Sequence, residues 1–533
     1  MTSKVFTRRD FLKLVGVGAG TLALSACGVT LPAAADPQTG VAVSTPGMTP
    51  SPASPALIVD LTAARTTVPI LSGAETPVWS YQASVRDGAA ESLQVLDGSY
   101  LGPIFRVKRG QRIQVKLKNE LPDPTIIHWH GLRIPEGMDG HPRYAIVPGK
   151  AFDYDFTVQN RAGMYWFHPH PHQLTGQQAY FGLAGLFIVS DDEENALGLP
   201  FGEYDLPLVI QDRLFDDANR MVYMVNGMMD QMTGFLGDTI LVNGKPDTIL
   251  DVKASAYRLR LLNGSNSRIY KLAWQDRTPL TIIATDGGLL EVPVTRDYVM
   301  LAPGERIELW VDFSTRQDAK LVSLAFEAGS VGGMMGGGMM GGGSTLPNGA
   351  SLDILRVRVG EKGEPFSPLP QRLSSIARHR MEDAVNGKNP RSFTLAMQGM
   401  IHTINGRVFE MDAVANDEIV RLGDLEVWEF VNLEGGGGDG MGMMNMEMPH
   451  PMHMHGVQFQ VVERQIDRNF RAQYEQISAG FVDEGWKDTV LVMPGESVKV
   501  LVRFEDFAGT YLYHCHNLEH EDAGMMRNYR VIS

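Results

Sequence analysis

Cysteine is nearly absent from this sequence, which has only Cys27 and Cys515 among its 533 residues. Cys27 lies in an N-terminal segment with the features of an export signal, so the remaining chain has one thiol and no intramolecular disulfide. Outside the cytoplasm, such a protein must rely on packing and bound metal for its stability.

Basic residues are also scarce, with 47 Lys and Arg against 62 Asp and Glu and a formal net charge of −15. Binding to a polyanion requires clustered cations, so we expect no nucleic-acid partner. The length is enough for roughly three domains of about 150 residues each.

The first 27 residues have the pattern of a twin-arginine signal, with Arg8-Arg9 before an apolar run that is too short and glycine-rich to span a bilayer. Leu24-Ser-Ala-Cys27 is similar to a lipoprotein cleavage box, which would leave Cys27 acylated as a lipid anchor. Cleavage near Ala33–Ala35 is the alternative. We expect an exported protein, periplasmic or on the extracellular face, in which residues 28–56, rich in Pro, Ala, Ser and Thr, form a flexible linker.

From residue 57 onward, short stretches of alternating apolar and polar residues predict antiparallel strands, and closely spaced turn signals favour β-sandwiches over helices. An internal repeat consists of a Pro-Gly turn followed by such a strand, at Pro148-Gly149, Pro303-Gly304 and Pro494-Gly495. Three copies predict three related domains. We place them at residues 57–200, 201–370 and 371–533.

Histidines occur in pairs separated by one residue. The pattern His-x-His is found five times, whereas composition alone predicts about 0.4 occurrences. Alternate residues of a strand share a face, so each pair can present two imidazoles together. The pairs fall in the first and third domains, and the middle domain lacks them. The four strand pairs are His128 and His130, His168 and His170, His453 and His455, and His514 and His516.

Cys515 lies between two of these histidines and would point to the opposite face of the strand. His520 and Met525 follow it at intervals of five residues. A thiolate, an imidazole and a thioether are three of the four ligands of a blue-copper site. His450, three residues before His453, is the missing second imidazole.

Together these motifs resemble the four copper signatures of the multicopper oxidases, especially the bacterial laccases and copper-efflux cuprous oxidases. The resemblance covers about residues 60–533 and implies three cupredoxin-like Greek-key β-sandwich domains with four copper ions. It implies that type 1 copper is bound by His450, Cys515, His520 and Met525, and type 2 copper by His128 and His453. It assigns the type 3 pair to His130, His168, His170, His455, His514 and His516.

The same resemblance implies that one electron at a time passes from a substrate to the type 1 copper, and that four electrons reduce O2 to water. Cys515 is bonded to two type 3 ligands through the backbone, which gives a short electron path. Four protons are also required. Asp139 and Glu521 match acidic residues that assist protonation in similar oxidases, and a ligand-orienting role is the alternative.

Methionine is abundant close to the blue-copper ligands. Thioethers bind Cu(I) well, so we expect Cu(I), or phenols, as the reducing substrate and a possible role in copper tolerance. A glycine-rich tract contains Met334, Met335, Met339 and Met340, and residues Met221–Met232 are interpreted as packing. The long Met- and His-rich insertion typical of copper-efflux oxidases is missing. Candidate Cu(I) ligands are Met441, Met443, Met444, Met446, Glu447 and Met448.

Other functions stay open at this point. A general laccase would act on phenols or aromatic amines, and a copper-storage lipoprotein would bind copper without turnover. A cupredoxin-type division protein would lack the ligands, and a nitrite reductase would lack four ordered pairs. We expect a monomer. Surface or hydrogen-bonded structural roles are predicted for His141, His172, His379 and His402, and the alternative for His172 is to line the channel near the cluster.

Overall fold

The computed structural model describes residues 56–316, 318–329, 346–398, 401–432 and 447–533. Over these residues the chain is built mainly of strands, which confirms the predicted all-β class. Within these ranges, five short α-helices occur between the strands. Within the described ranges, no helix has the length and apolarity needed to cross a membrane. The helices are Thr175–Tyr180, Asp192–Asn195, Met228–Thr233, Arg471–Glu475 and Leu518–Asp522.

The first β-sandwich encloses a core rich in aromatic side chains, including Trp129, Phe167 and Phe187. One sheet contains, in spatial order, β2 (Thr76–Asp87), β1 (Leu57–Val68), β5 (Arg112–Asn119) and β7 (Ala151–Thr157). The other contains β3 (Leu93–Gln94), β4 (Ile104–Lys108), β9 (Gly185–Ser190), β8 (Gly163–Pro169) and β6 (Ile127–His130).

The second sandwich has its own core, in which Trp274, Leu309 and Leu355 are buried. Its larger sheet contains β12 (Lys245–Pro246), β11 (Thr239–Val242), β10 (Asp205–Arg213), β14 (Ala256–Asn263), β19 (Arg306–Asp312), β16 (Leu280–Thr285) and β17 (Gly288–Arg296). The smaller contains β13 (Ile249–Ala254), β21 (Leu352–Lys362), β20 (Ala319–Ser323), β15 (Tyr270–Trp274) and β18 (Val299–Leu301).

The third sandwich buries Trp428, Tyr513 and Cys515 in its core. One sheet contains β23 (Ile401–Ile404), β22 (Arg391–Gln398), β25 (Leu425–Asn432), β29 (Glu496–Arg503) and β27 (Phe459–Ile466). The other contains β24 (Ile419–Arg421), β31 (Met526–Ile532), β30 (Gly509–Cys515), β26 (His450–Met454) and β28 (Thr489–Val492).

The Pro-Gly repeat has the same structure in all three sandwiches. Each glycine has a positive φ, which is accessible to glycine at little cost, and each donates its N–H to the carbonyl of an asparagine that ends a neighbouring strand. The pairs are Gly149 with Asn119, Gly304 with Asn263, and Gly495 with Asn432, at N···O distances of 2.7, 3.0 and 3.1 Å. The Pro-Gly motif that recurs in the sequence is therefore a turn that recurs in the structure.

Candidate metal centre

The histidine pairs meet because their strands are hydrogen-bonded neighbours. In the first sandwich β6 pairs with β8, which sets His128 opposite His168. In the third, β26 pairs with β30, which sets His453 opposite His514 and Met452 opposite Cys515. All eight imidazoles are completely buried. Side chains alternate along a strand, so Cys515 points away from its neighbouring histidines and into the third core.

Cys515 forms a compact donor group with two histidines. Its Sγ lies 3.4 Å from His450 Nδ1 and 3.7 Å from His520 Nδ1, and the two Nδ1 atoms are 3.3 Å apart. Met525 is completely buried in the same core. A thiolate, two imidazoles and a thioether are the donors of a blue-copper site. The structure therefore brings the four predicted type 1 ligands into one region.

The backbone around this donor group is tightly hydrogen-bonded. The N–H of Asn517 points at Cys515 Sγ over 3.4 Å, while Asn517 Oδ1 accepts the N–H of His520 at the start of the helix Leu518–Asp522. Cys515 N–H donates to the Met525 carbonyl at 3.0 Å, and Met525 N–H donates to the His520 carbonyl at 2.9 Å. The loop after β30 thus fixes the spacing of three donors.

Two imidazoles of the eight-histidine cluster face each other through ring nitrogens. His128 Nε2 lies 3.2 Å from His453 Nε2. The Nδ1 atoms of these rings lie 2.8 and 2.7 Å from the backbone carbonyls of Asp139 and Asp488, which can only accept a hydrogen bond. Each Nδ1 therefore has the proton, and two Nε2 lone pairs oppose each other. Two facing lone pairs repel each other unless a proton or a metal cation is bound, so His128 and His453 could hold the type 2 copper that the resemblance implies.

A second group consists of His170, His455 and His514. His514 Nε2 lies 3.4 Å from His170 Nε2 and 3.0 Å from His455 Nε2. His455 directs its Nδ1 to a carboxylate oxygen of Asp139 at 2.7 Å. Three imidazole nitrogens therefore converge on one point.

The third group consists of His130, His168 and His516, whose ring centroids are 4.9 to 5.7 Å apart. His130 Nε2 is directed at Asp488 Oδ1, 3.0 Å away. His130 Nδ1, His168 Nε2 and both His516 nitrogens are buried and make no hydrogen bond to any described residue. Buried polar nitrogens are normally satisfied, so this group also fits a bound metal.

Burial lowers the pKa of all eight imidazoles below the usual histidine value, with neighbouring histidines adding to the effect for most of them. The pKa falls to about 3 for His168 and to about 4 for His514. The rings are therefore neutral at physiological pH. Neutral imidazole is the form that binds copper.

This arrangement agrees with the comparisons to known proteins. Three family models described as multicopper oxidase match residues 78–194, 214–323 and 383–533. Multicopper oxidase mco of Staphylococcus aureus is 33% identical over 435 residues, which cover 82% of this chain and 83% of that protein. The chain belongs to the multicopper oxidase family. The resemblance stated from the sequence is therefore confirmed.

Other multicopper oxidases are similar along most of the chain. A laccase of Bacillus stratosphericus is 30% identical over 500 residues, covering 84% of this chain and 92% of the laccase. The crystal structure of McoA from Aquifex aeolicus, 35% identical, has a TM-score of 0.73 and covers 89% of this chain and 96% of its own. A Campylobacter jejuni multicopper oxidase described as a metallo-oxidase is 25% identical, with a TM-score of 0.69 and coverages of 90% and 94%.

Family membership establishes the chemistry in outline. The protein is an oxidoreductase that uses O2, and its cofactors are one type 1, one type 2 and two type 3 coppers. The structure also confirms the cupredoxin-like β-sandwich fold that the sequence predicted.

Asp139 and Glu521, which are predicted to assist protonation, both contact the eight-histidine cluster. Asp139 Oδ2 accepts from His455, and burial followed by repulsion from Glu136 raises the pKa of Asp139 well above its usual value. Glu521 has one oxygen 3.4 Å from His170 Nε2 and the other 3.2 Å from His514 Nδ1. Burial, then the charge of Asp522, raises the pKa of Glu521 well above normal. Both carboxyl groups therefore favour the protonated form.

His402 lies closer to the donor group than the sequence suggested. It is buried, as expected for a hydrogen-bonded structural role, but its ring stacks on His520 with centroids 3.8 Å apart. His402 Nε2 and His520 Nε2 lie 2.9 and 3.0 Å from the carbonyl oxygen of Met232. No local pattern predicts this contact, because His402 belongs to no pair and Met232 comes from the middle sandwich.

The remaining unpaired histidines have separate environments. His141 is buried, and its Nε2 lies 2.8 Å from Asn528 Oδ1. His172 is half-buried against Phe409, and His379 is half-buried against Trp486. These positions agree with structural roles and give none of the three a place in the groups above.

Part of the predicted substrate region is described. Met448 is buried and packs with Met232 and the half-buried Met397, and Glu447 is half-buried. In the segment predicted to pack, Met221 and Met232 are buried, Met224 and Met229 are half-buried and Met228 is 56% exposed, so packing accounts for part of the segment. The other predicted methionines, Met334, Met335, Met339, Met340, Met441, Met443, Met444 and Met446, lie outside the described residues.

Proposed function

We propose that this multicopper oxidase oxidises Cu(I) as its substrate and couples that oxidation to the reduction of O2 to water. The electrons would enter at the type 1 group formed by His450, Cys515, His520 and Met525. The eight paired histidines would hold the type 2 and type 3 coppers as the resemblance implies. When bound, the coppers supply one-electron transfer and O2 reduction. Cys515 is bonded through the backbone to His514 and His516, so a continuous covalent path joins the two groups of ligands.

The observation that supports Cu(I) as substrate is the group of thioethers beside the type 1 ligands. Met232, Met397 and Met448 pack together, and the carbonyl of Met232 lies 3.0 Å from His520 Nε2. Thioether sulfur is a soft donor that suits Cu(I) and binds hard ions poorly. A Cu(I) ion bound by these thioethers would be separated from the type 1 group by one side chain, that of His520.

Burial of the type 1 ligands also favours a small substrate. His450 and His520 have no exposed area, and His402 is 1% exposed. The helix Met228–Thr233, from the middle sandwich, covers His520 through the Met232 carbonyl. Among the described residues, a phenol ring would have to displace this helix to touch either imidazole, which supports a smaller reducing substrate.

Asp139 and Glu521 would deliver protons to the cluster. Each is buried, each lies within 3.4 Å of a predicted type 3 ligand, and the environment of each favours the neutral acid. A carboxyl group that keeps its proton at neutral pH can donate it to reduced oxygen and be reprotonated from solvent.

The cellular setting is part of the same proposal. The Arg8-Arg9 motif supports export of the folded protein, and Cys27 would anchor it as a lipoprotein in the periplasm or on the extracellular face. Removal of Cu(I) at that location would contribute to copper tolerance. Residues 1–55, which include both motifs, lie outside the described residues.

Steady-state kinetics with Cu(I) and with 2,6-dimethoxyphenol test the substrate assignment. Replacing Met232, Met397 and Met448 with Leu removes sulfur but nearly preserves side-chain volume, so the fold should tolerate the change. We expect kcat/KM for Cu(I) to fall about tenfold or more, equivalent to about 1.4 kcal/mol of lost binding, with the phenol rate kept or raised. A second variant replaces Met441, Met443, Met444, Met446 and Met448 with Leu and tests the rest of the predicted ligands.

The matched control is Met300→Leu, because Met300 is equally buried in a separate apolar cluster. It should leave both rates unchanged. If kcat/KM falls equally for Cu(I) and for the phenol in the thioether variants, these methionines have a structural role. An unchanged Cu(I) rate would favour a general laccase, and an absence of O2 uptake with either substrate would favour copper storage.

A further inference from the structure

The middle sandwich provides none of the predicted copper ligands, yet one of its side chains reaches the histidine cluster. Arg306, at the start of β19, is 0% exposed. Its Nη1 and Nη2 donate to the two carboxylate oxygens of Asp488 at 2.7 and 2.6 Å. Asp488 Oδ1 in turn lies 3.0 Å from His130 Nε2, and the Asp488 carbonyl lies 2.7 Å from His453 Nδ1. One aspartate therefore joins Arg306 to two imidazoles.

The whole segment around Asp488 is attached to the middle sandwich. Lys487 Nζ lies 3.1 Å from Asp286 Oδ2 and 3.1 Å from Glu305 Oε1. Gly287 N–H donates to the Trp486 carbonyl at 2.8 Å. These contacts fix the backbone before Asp488, and on the other side of the carbonyl that faces His453 the Thr489 N–H donates to Asp286 Oδ2 at 3.4 Å.

The Pro-Gly turn of the middle sandwich also touches the cluster directly. A Cβ at Gly304 would lie 3.1 Å from His130 Cε1 and 3.2 Å from His516 Cδ2. At Gly131, next to His130, a Cβ would lie 2.4 Å from Asp488 Oδ2 and 2.7 Å from Arg306 Nη2. Both glycines leave the space in which Arg306, Asp488 and the imidazole rings come together.

We propose that the middle sandwich positions the trinuclear copper ligands, through the Arg306–Asp488 ion pair and the Gly304 turn. Arg306 and Asp488 are positioning residues in this scheme, since neither is a predicted metal ligand. A planar guanidinium binds both oxygens of a carboxylate and so fixes its orientation. The fixed carboxylate then sets the rotation of His130, leaving Nδ1 for the metal. The inference rests on the proposed assignment of the paired histidines to copper.

The first experiment compares Gly304→Ala with Gly149→Ala. The two glycines occupy the same turn of the repeat, with φ values of 84° and 79°, so alanine strains both backbones similarly. A Cβ at Gly149 meets no atom within 4 Å, whereas a Cβ at Gly304 presses on two predicted type 3 ligands. Gly304→Ala should alter the type 3 absorption and lower the copper content, while the blue thiolate band persists. Gly149→Ala should retain four coppers with normal spectra.

The second experiment replaces Arg306 with Met and with Lys. The control is Arg258→Met, because Arg258 is another buried arginine of the middle sandwich, paired with Glu308 and Glu194 away from the histidines. Replacing the hydrogen-bond partners of metal ligands typically lowers metal affinity about 10–100-fold, so the affinity for trinuclear copper should fall by up to that factor in Arg306→Met. Arg306→Lys should be intermediate. The type 2 electron paramagnetic resonance signal should change in both Arg306 variants and stay normal in Arg258→Met.

Two outcomes would overturn the proposal. One is Gly304→Ala with the same copper content and spectra as Gly149→Ala. The other is Arg306→Met with four coppers and an unchanged type 2 signal, differing from the wild type only in melting temperature, as Arg258→Met does. A His130→Ala variant shows whether such an outcome rejects only the positioning role or the assignment of the histidines to copper as well. If His130→Ala keeps full copper, the assignment is wrong; if it loses copper while Gly304→Ala and Arg306→Met do not, only the positioning role is rejected.

Discussion

Asp139 and Asp488 hold the histidine cluster in a reciprocal arrangement. The backbone carbonyl of each accepts from a histidine of its own sandwich, at 2.8 Å for Asp139 and 2.7 Å for Asp488. The carboxylate of each faces a histidine of the other sandwich, at 2.7 and 3.0 Å respectively. Each aspartate therefore connects the first sandwich to the third. The histidines so held are His128 and His455 by Asp139, and His453 and His130 by Asp488.

The two aspartates differ in their other neighbours. Asp488 is paired with Arg306 through both oxygens. No arginine or lysine among the described residues forms an ion pair with Asp139, and burial raises its pKa. The two aspartates thus make the same kind of hydrogen bonds to histidines but have different charged neighbours. Asp488 is oriented by a bidentate ion pair with Arg306, whereas burial raises the pKa of Asp139 and favours its protonated form.

The first prediction concerns Asp139→Asn. The amide oxygen can still accept from His455 Nδ1, so copper content and the blue colour should be retained. The titratable proton is lost, and turnover should fall by about 10²–10⁴, the usual contribution of a general acid. Stopped-flow reduction of the type 1 copper should stay fast while reoxidation by O2 slows. Slow reduction would instead place the defect at the substrate site.

The second prediction is that Asp488→Asn has a different phenotype from Asp139→Asn. Loss of the carboxylate removes the bidentate partner of the buried Arg306 guanidinium and leaves only Asp286, whose Oδ1 lies 3.7 Å from Nη1, so the free energy of unfolding should fall by up to about 3–5 kcal/mol. Denaturant unfolding of the copper-free protein should report this loss, and the copper content should fall as well. Asp139→Asn is the matched control, since it removes no ion pair with a basic side chain. Equal stability of the two variants would refute the distinction drawn between the aspartates.

Much of this centre could be predicted from local patterns. Alternate residues of a strand share a face, so the pairs such as His128 and His130 indicated shared sites without knowledge of the fold. The repeat around Gly149 and Gly495 gave the relation between the outer sandwiches. Arg306 and Asp488 are 182 residues apart in the chain, and no local periodicity links them. Met232 and His520, 288 residues apart, could not be associated for the same reason.

The third prediction concerns Cys515→Ser. The hydroxyl is a poor copper ligand, so the intense thiolate-to-copper absorption and the turnover should disappear together. His514 and His516 face the other cluster, and their metals should remain bound. Copper analysis with electron paramagnetic resonance should show the type 2 signal without the type 1 signal. A variant that stays blue would contradict the assignment of Cys515.

The fourth prediction tests the export route. Replacing Arg8 and Arg9 with Lys preserves the charge of the N-terminal segment but removes the twin-arginine pair. The precursor should then accumulate in the cytoplasm, as measured by fractionation and immunoblotting. Cys27→Ser is the companion variant, and it should still be exported but should leave the membrane fraction if Cys27 is acylated. Normal export of the double Lys variant would indicate another pathway.

The fifth prediction is that the copper-free protein is sensitive to acid while the copper-loaded protein resists it. Burial lowers the pKa of the clustered histidines in the folded state, to about 4 for His514 and about 3 for His168, against about 6.5 in an unfolded chain. Between pH 6.5 and these folded values, the unfolded state binds more protons than the folded state. Stability therefore falls as the pH falls, by about 1.4 kcal/mol per pH unit for each such histidine.

Asp139 and Glu521 act in the opposite direction, because their raised pKa values mean that the folded state keeps protons that the unfolded state releases above about pH 4. Glu305, Glu496, Asp506, Glu519 and Asp522 also have raised pKa values, but these carboxyl groups are present with and without copper, so the histidines set the difference between the two pH profiles. Bound copper replaces the protons, and the loaded protein should lose stability only where acid displaces the metal. Urea unfolding of both forms across this pH range measures the difference. Parallel pH profiles with and without copper would show that the buried histidines are not the metal ligands.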